Sequence, residues 1–203
     1  MNPVGGSRVG RKKSYIPEEK LEAAIELFLT KGYASTSISD LVDHLGLNRK
    51  SLYAEFGSKQ ELFDAALQMY DRVFVSQQFT PLEAPNAGRA EIVGLLETVA
   101  SHARGPRAGL GCLMCNTAVE RAPLDPASQL HVAHHVERIS RAFENALTGG
   151  QVKGDFSASM DASVEARFLT SHLIGQITLI RANVAPEVVE AAAIAVLARL
   201  EAL

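Results

Sequence analysis

Apolar side chains recur three and four residues apart along almost the whole chain, and no stretch alternates apolar with polar residues as a half-buried strand would. That periodicity leaves helices packed on helices as the architecture, so the fold class is predicted to be all-α. Leu21, Ile25, Phe28 and Leu29 form a first stripe, opened by Pro17 and closed by Gly32. Ser37, three residues before Asp40, is an N-cap signature for a second helix carrying Ile38, Leu41, Val42 and Leu45. Gly46 supplies a turn, and Asn48 caps a third helix. Ser58 and Glu61 form a capping box for a long helix with Leu62, Phe63, Ala66, Leu67, Tyr70 and Phe74 on its apolar side. A Pro-containing break is predicted at FTPLEAPNAG. Further helices are predicted at about 89–103, 111–121, 126–148, 161–183 and 186–202, with Gly and Pro punctuation between them.

No apolar run approaches the ~20 residues of a membrane span. The opening MNPVGGSRVGRKKSY lacks the apolar centre of a secretory signal. Two cysteines are too few for a disulfide framework, so a reduced, cytoplasmic protein without membrane contact is expected. No Ser/His/Asp set, glycine-rich phosphate loop or paired carboxylates in an apolar setting stand out, which argues against an enzyme. The net charge of −3 hides an asymmetry: residues 1–60 hold nine Lys/Arg against seven Asp/Glu, and residues 61–203 hold eleven against sixteen. Positive charge concentrated at one end points to a polyanion partner for that end.

Two short helices joined by a tight glycine turn make a helix-turn-helix, in which the second helix enters the DNA major groove. At about 100° per residue, Leu52 and Phe56 face inward and Lys50 and Ala54 fall nearly opposite, flanked by Ser51 and Tyr53. Lys50 suits guanine O6/N7, Ser51 several base edges, and Ala54 a thymine methyl. Tyr53, Arg49 and Lys59 suit phosphates, as do the helix starts at Thr36, Ser37 and Asn48. The expected organisation is a flexible basic arm over 1–14, a helix-turn-helix domain over 15–60 and a larger helical bundle over 61–203. Arg8, Arg11, Lys12 and Lys13 of the arm suit the minor groove.

The segment from Pro17 to Phe63 resembles the DNA-binding domain of the tetracycline-repressor (TetR) family of transcriptional regulators. The resemblance is carried by Ala23-Ala24 through Phe28, Gly32-Tyr33, Thr36-Ser37-Ile38-Ser39-Asp40-Leu41, Gly46-Leu47-Asn48, Leu52-Tyr53, Phe56-Gly57-Ser58-Lys59 and Leu62-Phe63. Lys50 and Glu55 depart from residues common in the family, which bears on operator sequence rather than on DNA binding. The resemblance implies a ligand pocket in the larger bundle and a homodimer built on the last two helices. It further implies a repressor on palindromic double-stranded DNA, released by a small-molecule inducer.

The sequence supports the dimer independently. Val164, Phe168, Ser171, Leu173, Gly175 and Thr178 in one helix, and Val188, Val189, Ala192, Ile194, Ala195 and Leu197 in the next, are too apolar and small to be covered on one side only. Leu95, Val99, Met114, Phe143, Phe168, His172 and Gln176 are candidate ligand contacts, an apolar wall with two polar handles.

The Gly-Cys-Leu of GLGCLMCNTAVE resembles a segment in one branch of the same family. Cys112 and Cys115 lie three apart at a helix start, with His102, Arg104 and Arg107 just before them. They are read either as small apolar fillers or as a thiol sensor of oxidants. Without a second cysteine pair they make a weak metal signal, and neither metal nor cofactor is expected. His131 and His135 are four apart but lack a matching carboxylate, so His131, His134 and His135 are expected on a solvated helix face. Two other functions remain beside the regulator: an architectural DNA-binding protein without ligand control, and a small helical enzyme.

Overall fold

The computed structural model describes residues 16–120 and 125–203, and the basic arm expected at 1–14 lies outside them. The described residues form helices α1 (Pro17–Lys31), α2 (Ile38–Leu45), α3 (Arg49–Phe56), α4 (Lys59–Tyr70), α5 (Ser76–Glu83), α6 (Arg89–Ser101), α7 (Leu113–Glu120), α8 (Pro126–Lys153), α9 (Ala162–Arg181) and α10 (Pro186–Glu201). A single π-helical turn, Asp71–Val75, joins α4 to α5 without a break. There are no strands among the described residues, as the all-α reading requires.

Helices α1–α3 and the start of α4 make a small head. Its centre is the edge-on pair Phe28 and Phe63, with ring centroids 4.9 Å apart, walled by the buried Leu41, Leu45, Leu52 and Leu62. The rest is a larger body around α8 and α9, where Ile139, Phe143, Ala146 and Leu147 are shut away from water with Leu169 and Leu173. Helix α4 belongs to both, burying Leu62 and Phe63 in the head and Met69 and Tyr70 further along.

Two expectations at element ends are corrected. The break at FTPLEAPNAG is shorter, because α5 runs through Pro81 to Glu83. Pro81 costs a hydrogen bond in the last turn, but buried Phe79 and Leu82 anchor that turn. Asn145 of α8 donates from Nδ2 to the carbonyls of Leu82 (2.7 Å) and Ala84 (3.0 Å), satisfying the helix end. Helix α8 also passes the expected stop at Gly149-Gly150 and reaches Lys153. Those glycines are sites of close approach. A Cβ on Gly149 would stand 2.2 Å from the Ala87 carbonyl oxygen, and one on Gly150 2.5 Å from the Phe156 ring. The stop is Gly154, left-handed at φ +83°.

Candidate nucleic-acid interface and thiol cluster

The head positions its outer face through reciprocal caps. Ser37 Oγ accepts from the Asp40 N–H (3.1 Å) while Asp40 Oδ2 accepts from the Ser37 N–H (2.7 Å), fixing the start of α2. Lys31 adds an ion pair to Asp40 at 2.7 Å. The Lys31 ammonium, and then the Ser37 bonds, hold the Asp40 carboxyl well below the usual range. Gly46 turns the chain at φ +61°, and Asn48 Oδ1 accepts from the Ser51 N–H (2.8 Å) to start α3.

Helix α3 then has one inward anchor, Leu52, and half-buries Phe56. Asn48, Arg49, Lys50, Tyr53 and Ala54 are exposed and Ser51 is half-buried. Ser37 is exposed at the α2 start, and Lys59 Nζ lies 4.0 Å over the Tyr33 ring at the α4 start. Thr36 does not belong with them. It is 1% exposed, and its hydroxyl donates to the Gly32 carbonyl (2.6 Å), locking the turn between α1 and α2 rather than facing outward.

Head and body are tied by contacts that the sequence did not reveal. Glu120, at the end of α7, accepts from the backbone N–H groups of Tyr33 (3.2 Å) and Ala34 (2.6 Å). Arg181, at the end of α9, donates to the Leu29 carbonyl (2.6 Å) and to Gly109 (3.1 Å). Both join residues far apart in the chain, and neither leaves a local spacing to read.

The other end of α7 carries the thiols. Cys112 stands just before the helix, its carbonyl accepting from the Asn116 N–H (2.8 Å) and its sulfur from the Cys115 N–H. Cys112 Sγ lies 4.0 Å from His135 Nε2, and the donor atoms of Cys112, Cys115 and His135 all fall within 4.8 Å of one another. Hydrogen bonding from Cys115, then the neighbouring His135, pull the Cys112 thiol well down against the effect of burial. The same bond pushes the Cys115 thiol up. Tyr70 also bonds to Cys112, and its phenol is pushed up, chiefly by burial.

His135 is a correction to the sequence reading. It is 4% exposed and stands edge-on to the Phe79 ring, whereas its neighbour His134 is exposed and His131 half-buried. Helix packing, invisible in local spacing, turns it toward α7. Arg104 is likewise displaced from the thiols, paired instead with Glu187 (2.9 Å) and Glu190 (2.5 Å) on α10.

The seven candidate ligand contacts are dispersed. Val99 and Phe143 are core residues, Leu95 lines a groove between α5 and α6, and Met114 lines another beside His131 and His135. Phe168 is 41% exposed under the Arg199 guanidinium, 4.6 Å from its ring centroid, and His172 stacks beside it. Gln176 is buried with neither amide atom bonded among the described residues. A cavity of about 430 Å³ opens instead between head and body, with Ile25, Leu29, Tyr70, Phe74, Arg107 and Leu110 in its lining.

Along α9, Val164, Phe168, Ser171, Gly175 and Thr178 are exposed, and Leu173 turns inward. On α10, Val188, Ile194 and Ala195 are exposed, Ala192 and Leu197 are half-buried, and Val189 turns inward. The buried Glu165 accepts two bonds from Arg199 (2.8 and 2.7 Å), fastening the two helices to each other. Among the described residues no helix is long and apolar enough to cross a membrane.

A capped, outward-facing third helix on a small head, carried by a larger helical body, defines a two-domain helix-turn-helix DNA-binding protein. Residues 21–66 match the family described as bacterial regulatory proteins, tetR family, and residues 88–196 match the tetracyclin repressor-like C-terminal domain. The chain belongs to the TetR family of transcriptional regulators. It is 31% identical over 162 residues to the uncharacterized HTH-type transcriptional regulator YezE of Bacillus subtilis (strain 168), covering 79% of this chain and 84% of that one. It is 28% identical to the HTH-type transcriptional repressor ComR of Escherichia coli (strain K12), covering 82% and 80%. Among solved structures, a cysteine mutant of the TetR family regulator CifR complexed with 26-base-pair operator DNA superposes with a TM-score of 0.79 at 25% identity, covering 94% of this chain and 98% of that one.

Proposed function

We propose that this regulator is a repressor that binds a palindromic operator as a homodimer, with α3 of each chain in the major groove. One observation carries the reading: α3 buries Leu52 and turns Arg49, Lys50, Tyr53 and Ala54 to solvent at a capped helix start. Lys50 takes the base-reading role with Ala54 and Ser51, and Arg49, Tyr53, Ser37 and Lys59 grip phosphates. CifR, solved on its operator, is similar along nearly the whole chain. The exposed apolar faces of α9 and α10 supply the two-fold contact.

Release follows from an effector in the body, either a small molecule or oxidation of the Cys112 and Cys115 pair. Such an effector acts only by favouring the conformer that fits the operator poorly. Helix α7 is the connecting rod: Cys115 is in its first turn and Glu120 grips the head.

Lys50→Ala tests the base-reading role. Against a set of operator duplexes varied one base pair at a time, it is expected to relax preference at a single position, at a cost of about 1–3 kcal/mol there. Uniform weakening across all sequences would make Lys50 a phosphate contact. An architectural protein would show similar, salt-sensitive affinity for every duplex.

A further inference from the structure

Two sulfur donors and one imidazole donor meet in the interior of the body. Cys112 and Cys115 come from the start of α7, and His135 from the middle of α8. All three are buried. We propose that Cys112 Sγ, Cys115 Sγ and His135 Nε2 form a binding site for one thiophilic d10 metal ion, Zn2+ or Cu+, in each chain.

The spacing fits. Bonds of about 2.0–2.3 Å to nitrogen and sulfur place neighbouring ligand atoms about 3.5–3.9 Å apart. Cys112 Sγ and His135 Nε2 are already at 4.0 Å, and no pair of the three donors exceeds 4.8 Å. Closure by about an ångström completes the set, a shift within side-chain rotation at a helix start.

The surroundings fit as well. A metal-bound imidazole commonly presents its other nitrogen to a carboxylate, which fixes the ring. His135 Nδ1 is buried without a hydrogen-bond partner among the described residues and faces Asp71 Oδ1 at 3.9 Å. Asp71 opens the π-helical turn, a distortion frequent at functional sites, and that turn sets where its carboxylate stands. The groove of about 250 Å³ that reaches His135 from the surface is also lined by Met114, His131 and His134, further soft and borderline donors for an arriving ion.

Donor count bears on which ion is held. Zn2+ prefers four ligands and needs one more group, whereas Cu+ is satisfied by few soft donors. Binding replaces the thiol protons of Cys112 and Cys115, releases them to solvent and transfers no electrons. An ion there pins the first turn of α7, whose far end grips the head. That last consequence rests on the regulator reading, and the site itself does not.

The test is titration of the reduced, metal-free, full-length protein without DNA. Zn2+ and Cu+ are each added against a chromophoric chelator, with thiol accessibility read by a disulfide reagent. One ion per chain, with both thiols protected by one equivalent, is expected from at least one of the two metals. Cys112→Ser and His135→Ala are each expected to abolish stoichiometric binding. Asp71→Asn changes a partly exposed side chain that also faces Arg138 at 3.7 Å, and in the folded protein it is expected to weaken binding ten- to a hundredfold. Absence of a chelator-competing ion in the wild-type protein, or unchanged binding in folded Cys112→Ser or His135→Ala, would overturn the site.

Discussion

Asp40 shows how much a single half-buried side chain organises at the head. It receives the Ser37 N–H and hydroxyl and pairs with Lys31, so its carboxyl is held below the ordinary value of 3.8. A carboxylate depressed in the folded state stabilises fully above its unfolded value, starts to lose that contribution as pH falls below it, and has lost it only once pH has fallen through the lower folded-state value. Thermal unfolding followed from about pH 6 to about pH 3 is expected to show this loss in the wild-type protein and a flatter acid limb in Asp40→Asn. An identical acid limb in the two proteins would remove Asp40 from the account. The same residue scale shows why some of the site was legible and some was not. Asp40 and Ser37, Asn48 and Ser51, and Ser58 and Glu61 all pair within three residues, so their spacing announces them. Thr36 and His135 are decided by what folds over them. A threonine before a cap looks the same whether it faces DNA or the Gly32 carbonyl, and a histidine on a polar helix looks the same whether wet or set against Cys112.

Element ends follow a similar division. The starts of α2, α3, α4, α8 and α9 carry side-chain caps and fall within a residue of their expected places, whereas α5, which opens without a cap, leaves no start signal, and two ends are misplaced because glycine and proline have more than one use. Gly149 and Gly150 are in α8 for lack of a side chain, not for backbone freedom. Gly149→Ala would set a methyl against the Ala87 carbonyl and is expected to destabilise by about 1–3 kcal/mol, measured by urea unfolding. No loss would mean that the loop after α5 yields easily. Helix α7 is short, and its importance comes from its two ends: the thiol cluster at one and the Glu120 grip on Tyr33 and Ala34 at the other. Only the thiol end left a mark in local sequence.

Across the whole molecule, two features combine: a cationic helix turned outward from the head, and a broad apolar face on the body. Neither is saturated within one chain. Ile194 is 68% exposed and Phe168 lies open beneath Arg199, and in the homodimer proposed above a second copy covers them. Two copies related by a two-fold axis would present two α3 helices about 34–36 Å apart, one turn of DNA. The composition of α9 and α10 marked exposed apolar positions such as Val164, Phe168, Val188 and Ile194, whereas Leu173 and Val189 of the same set are buried in the interior. The most direct measurement is selection of bound duplexes from a random pool by the reduced wild-type protein, with Ile194→Glu alongside. A dimeric repressor requires enrichment of a palindrome with half-sites about one helical turn apart, and its loss, together with dimer mass, in Ile194→Glu. Enrichment of a single unrepeated site, or salt-sensitive binding with no enrichment at all, would contradict it.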